Sequence, residues 1–78
     1  MIYFKLDDLL KQLNYSRTRF ANMCGVRPNT INDMCNGITK RLELETLNAI
    51  LKCLNEISEK ELNINDLMQY RENGEFKT

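Results

Sequence analysis

The sequence has no histidine and no tryptophan among its 78 residues, a single proline (Pro28), and three glycines. Without histidine, no side chain titrates near neutrality at its ordinary pKa, so a ready general base is missing. Cys24, Cys35 and Cys53 lie 11 and 18 residues apart, with no C-x-x-C pair. A zinc site wants four ligands at short spacings and finds neither the number nor the spacing. Three scattered glycines make no phosphate-cradling loop, and Glu43 and Glu45, two apart, do not share a helix face. No catalytic residue, metal or cofactor is therefore expected, and the chain does not read as an enzyme. No apolar run approaches the ~20 residues of a membrane span. The opening M-I-Y-F-K-L-D-D lacks a basic region followed by a hydrophobic stretch, so no secretory leader is expected and the cytoplasm is the expected location.

Formal charge is also absent overall, at zero, yet its distribution is uneven. Residues 1–15 carry no net charge, residues 16–41 carry +4, and residues 42–78 carry −4. The basic segment holds Arg17, Arg19, Arg27, Lys40 and Arg41 against Asp33 alone. A length of 78 residues allows one small domain, and 42% apolar content is just enough for a core without disulfides or metal. For the cysteines, the plainer reading is three reduced thiols serving as small apolar residues. The other is a redox switch at Cys35.

The basic segment contains the chain's organising stretch, Ser16 to Gly37. Ser16 can cap a helix, and Phe20, Ala21 and Cys24 follow it on one side of a 3.6-residue period. Gly25 stops that helix where a residue at positive φ is needed. Val26 anchors the turn, and Pro28 suits the first turn of the next helix, where a missing N–H costs nothing. In that helix, about 28–36, Ile31, Met34 and Cys35 share one arc, and Asn29, Asn32, Asp33 and Asn36 the opposite one. Short amides both donate and accept, which suits the mixed edges of bases in a major groove. A solvated face that happens to be rich in asparagine is the competing reading. The basic flanks favour the first, because phosphate contacts supply much of the affinity and fix the register.

Around this unit the periodicity predicts further helices. Leu6, Leu9, Leu10 and Leu13 mark one at about 6–13, with Asp7 and Asp8 at the positive end of its dipole. Tyr15 is expected at the edge of the core. Leu44, Leu47, Ile50, Leu51 and Leu54 mark a strongly amphipathic helix at about 44–54. Ser58 with Glu61 matches a capping box, so residues 56–62 read either as a short helical turn or as a lengthened acidic loop. Asn63 with Asp66 caps a last helix running through Tyr70, with Ile64, Leu67 and Met68 inward. Residues 71–78 read as a flexible tail whose Phe76 either docks on a partner or is disordered.

Gly25 to Gly37, G-V-R-P-N-T-I-N-D-M-C-N-G, closely resembles the helix-turn-helix core of the phage-repressor and Cro (XRE-like) family. The glycine and small aliphatic residue, Thr30-Ile31 mid-helix and Asn36-Gly37 at its end carry the likeness. Phe20-Ala21 looks like the family's Leu-Ala, L-E-L-E-T-L like its fourth helix, and N-I-N-D-L-M like its fifth. The resemblance, over roughly 5–70, implies an all-α fold: a single compact five-helix lambda-repressor-like domain over 1–70, with the helix-turn-helix at about 17–36. It implies a transcriptional regulator, a repressor by expectation, that binds operator double-stranded DNA as a homodimer. Carried over by position, Arg27, Pro28, Asn29, Asn32 and Asp33 would meet bases. Ser16, Arg17, Arg19, Thr30, Asn36, Lys40 and Arg41 would meet phosphates. Arg27 and Pro28 stand where many members have small polar or amide residues, Arg17 where many have glutamine, and Cys35 where glutamate is common. Those departures bear on the target sequence rather than on the fold. A second function class stays open: a protein-interaction module, such as an antitoxin or anti-regulator, holding a protein partner through the acidic C-terminal half.

Overall fold

The computed structural model describes residues 1–72. Its elements run β1 (Ile2–Phe4), α1 (Leu6–Leu13), α2 (Arg17–Cys24), α3 (Pro28–Asn36), α4 (Leu44–Ile57), α5 (Ile64–Leu67) and β2 (Met68–Tyr70). The five helices expected from periodicity are present in order, and the molecule is mostly helical. Three of the turns between them use residues in the left-handed region: Asn14 (φ 62°), Gly25 (φ 72°) and Gly37 (φ 76°). At Gly37 the reversed backbone lets its own N–H reach Met34 O and the Ile38 N–H reach Asp33 O, which pairs carbonyls that the end of α3 would otherwise leave open.

Each helix contributes its stripe to one core. Leu6 and Leu10 come from α1, Phe20 and Ala21 from α2, and Ile31 and Met34 from α3. Leu47, Ile50, Cys53 and Leu54 come from α4, and Leu67 from α5. No polar or charged side chain is buried among the described residues. Tyr15, Cys24, Val26 and Cys35 pack half-buried around that centre, Tyr15 at the core edge as expected.

The structure adds a sheet that periodicity did not show. β1 and β2 pair antiparallel, with Ile2 opposite Tyr70, Tyr3 opposite Gln69 and Phe4 opposite Met68. Lys5 N–H donates to Leu67 O (2.6 Å) and Arg71 N–H to Met1 O (2.8 Å), extending the pairing at both ends. The Arg71 guanidinium lies over the Tyr3 ring, 5.5 Å from its centre. The last helix therefore stops at Leu67 instead of continuing through Tyr70. A single capped turn has few backbone bonds of its own, and an available strand partner offers Met68–Tyr70 more. Of the tail expected at 71–78, Arg71 is held against Met1; residues 73–78, Phe76 included, lie outside the described residues.

Other boundaries shift for local reasons. α4 runs to Ile57 rather than about Leu54. Residues 58–63 form the loop rather than a helical turn. The Ser58 hydroxyl accepts from Lys60 N–H (3.1 Å) inside that loop. Asn55 holds it down, donating to Leu51 O and Leu62 O (2.9 Å each) and accepting from Leu62 N–H (2.7 Å). The cap before α5 forms as expected, with Asn63 N–H donating to Asp66 Oδ2 (2.9 Å). Leu44 and Ile64, expected inward, are 75% and 49% exposed. Both are the first residue of their helix.

Two substitutions separate packing from backbone strain. Phe20→Ala removes the largest fully buried side chain and is expected to cost about 3–5 kcal/mol in urea unfolding. Gly37→Ala meets no atom within 4 Å of the added carbon, so only its left-handed φ is penalised, at about 1–2 kcal/mol.

Candidate nucleic-acid interface

The two helices of the basic segment have defined ends. Ser16 Oγ accepts from Arg19 N–H (3.1 Å), opening α2 as a side-chain cap. At the other end Val26 N–H donates to Ala21 O (3.0 Å), holding the turn against α2. Arg27 stays extended (φ −64°, ψ 138°), and its carbonyl accepts from Thr30 and Ile31 N–H, starting α3 with Pro28 in the first turn. Ile31 and Met34 are fully buried, so the opposite face of α3 must look outward.

The outward face holds most of the residues proposed for bases. Arg27, Pro28, Asn29 and Asp33 are exposed, as is Asn36 at the end, while Asn32 is half-buried. The connection after α3 folds back along it. Thr30 and Asp33 share a hollow of about 330 Å³ with Ile38, Thr39, Lys40 and Arg41, which brings both basic residues of that connection beside the helix. On the other flank, Arg27 and Thr30 border a hollow of about 620 Å³ with Glu43 and Glu45. Sequence reasoning did not place those two carboxylates next to the basic segment.

Arg17 behaves differently from the other arginines. Its Nη1 donates to Asn32 Oδ1 (3.2 Å) and to Asn36 Oδ1 (3.3 Å), and its Nη2 to Asp7 Oδ1 (3.2 Å). Lys11 Nζ holds the other oxygen of Asp7 at 3.2 Å. Asp7, read from sequence only as a helix-dipole residue, thus joins α1 to α3 through Arg17. The i, i+4 spacing of Asp7 and Lys11 is the signal that marks their pairing; no spacing marks Arg17 as a partner of Asp7. Arg19 lies over the Tyr15 ring, 4.6 Å from its centre, with its side chain on the exposed surface.

The sequence profile of the helix-turn-helix family matches residues 6–62. The chain belongs to that family. The match covers most of the chain and bears out the resemblance to phage-repressor and Cro regulators. No curated protein and no solved structure matches it significantly. Membership makes the protein a DNA-binding helix-turn-helix regulator in general terms, with α2 and α3 as the motif. Both strands of the terminal sheet fall outside the matched span.

Within this helix-turn-helix protein the thiols are quiet. Burial pushes Cys35 up, and burial together with the neighbouring Cys53 pushes Cys24 up, so both stay protonated near neutrality. All three cysteines are free. Among the described residues no group of three or more Cys, Asp or Glu could hold a metal ion, and no helix is long and apolar enough to cross a membrane.

Lys11 and then Arg17 hold the Asp7 carboxyl below its ordinary value of 3.8. A depressed pKa contributes stability that is present above the unfolded-state value and is lost as pH falls through the lower folded one. The stability difference between the wild type and Asp7→Asn should therefore be constant near neutrality and close below pH 3.8. Urea unfolding across that range checks it; a gap unchanged at about pH 2 would remove the ion-paired assignment.

Proposed function

We propose that this protein is a sequence-specific regulator of transcription, a repressor, that reads the major groove of double-stranded DNA with α3. The reading rests on one observation. The outward face of α3 is made of short amides and a carboxylate, and the chain folds its basic residues around that face. Arg27, Pro28, Asn29, Asn32 and Asp33 take the base edges. Ser16, Arg17, Arg19, Thr30, Asn36, Lys40 and Arg41 frame the helix toward phosphates, which fix its register without reading sequence. The net +4 of residues 16–41 and the net −4 of residues 42–78 orient the molecule, basic side to the duplex.

The protein acts in the cytoplasm as a homodimer on a two-fold-symmetric operator. Half-sites about one helical turn apart, roughly 34 Å, follow from a pair of helix-turn-helix units on one face of the duplex. Domain 1–70 supplies this activity.

Selection of bound sequences from a random duplex pool at about 0.1 M salt tests the reading. A two-fold-symmetric motif is expected, with half-sites about one turn apart. Asn29→Ala should lower affinity for the selected site by about 1–3 kcal/mol and leave binding to random DNA unchanged. No enrichment by folded protein, together with a co-purifying protein bound to the acidic half, would replace this function with the protein-interaction module.

A further inference from the structure

The four residues Asp7, Arg17, Asn32 and Asn36 form a chain of bonds from α1 to the reading face, and its chemistry has a direction. A guanidinium only donates. The atoms of Asn32 and Asn36 that face Arg17 Nη1 at 3.2 and 3.3 Å are therefore their carbonyl oxygens, which fixes the orientation of both amides. Their NH₂ groups have no protein partner among the described residues. Arg17 is itself held by Asp7 Oδ1 at 3.2 Å, with both side chains about one-third exposed (34% and 31%). Asp7 in turn is held through its second oxygen by Lys11.

We propose that Asp7, acting through Arg17, is a positioning residue that sets which base chemistry α3 reads: the tethered amides present donors, Asn36 toward phosphate and Asn32 toward a base, and position 32 selects guanine. This rests on the DNA-reading function above. An asparagine that reads adenine takes a hydrogen bond from N6–H on its oxygen while donating to N7. Here that oxygen already accepts from a cation, so its pull on a further donor is reduced. Guanine offers two acceptors, N7 and O6, and asks its partner only for donors. The Arg17 charge behind the two amides strengthens the same preference. Paired with Asp7, Arg17 has part of its fork engaged and contributes less to the phosphate frame than a free arginine at the start of α2 would.

The experiment is the same duplex selection, followed by affinity measurement across salt, on the wild type, Asp7→Asn, Arg17→Lys, Asn32→Ala and Asp8→Asn. The base pair whose preference disappears in Asn32→Ala is the one Asn32 reads, and guanine is expected there in the wild type. Asp7→Asn should weaken that preference roughly five- to tenfold. Released from its counter-ion, Arg17 should then strengthen its phosphate contact and steepen the salt dependence by up to about one contact. Arg17→Lys keeps the charge but loses the fork that reaches two amides and a carboxylate at once, and should weaken the same preference. Asp8→Asn removes an equal charge from an exposed neighbour outside the network and should leave base preference as it was. Circular dichroism establishes that each variant is folded. Adenine at that base pair, or an unchanged preference in both Asp7→Asn and Arg17→Lys, overturns this inference and leaves the DNA reading standing. No motif from the wild type overturns both.

Discussion

The rotational setting of α3 is the constraint on which the rest depends. It is fixed by two side chains, Ile31 and Met34, that are fully buried against the other helices. No polar or charged residue is fully buried in that core among the described residues, and the hydrogen bonds from Arg17 to Asn32 and Asn36 lie at its edge. Inside the core shape and water exclusion set the orientation, and interiors packed to crystal-like density leave little room for a helix to roll. A turn of 100° in α3 would trade Ile31 for Asn32 at the core and leave a polar amide without water. The capping serine, the left-handed glycines and the proline set where each helix starts and stops. The two apolar side chains decide which way the second helix looks.

Electrostatics in this molecule works at two ranges. At long range, the basic side and the acidic side give a neutral chain a direction, and such a field is weakened by salt within about 10 Å. At short range, Asp7 engages Arg17, one of the arginines that builds the basic side, and shares its second oxygen with Lys11. Segment charge therefore overstates what the face around α2 offers to an approaching anion. The carboxylates of Glu43 and Glu45 beside Arg27 act in the same sense, lowering the local positive potential at the start of α3.

Much of the helical architecture was legible because periodicity and punctuation agreed. Leu6, Leu10, Phe20, Ile31, Met34, Ile50 and Leu54 fell on predicted faces and are buried. Gly25 and Gly37 marked the turns they make. The small sheet was illegible because three residues per strand show no alternation, and the partners are more than sixty positions apart. Leu44 and Ile64 were misread because a periodic pattern does not reveal how far a neighbouring helix reaches. At the candidate interface, exposure of the α3 face followed from its amphipathic pattern. The partnership of Arg17 with Asp7, Asn32 and Asn36 did not, since it joins three helices through side-chain reach.

The pairing of Ile2–Phe4 with Met68–Tyr70 makes the helical body a closed loop in which each strand is missing its partner until almost the whole chain exists. On a ribosome, α1 to α4 can assemble while the first strand waits, its N–H and C=O groups still facing water. Closure then needs nearly the whole chain and joins residues more than sixty positions apart, a separation that costs loop entropy. By the same token it is the first bond a pull on both ends would meet, since the load falls on the clasp before it reaches the helix pair.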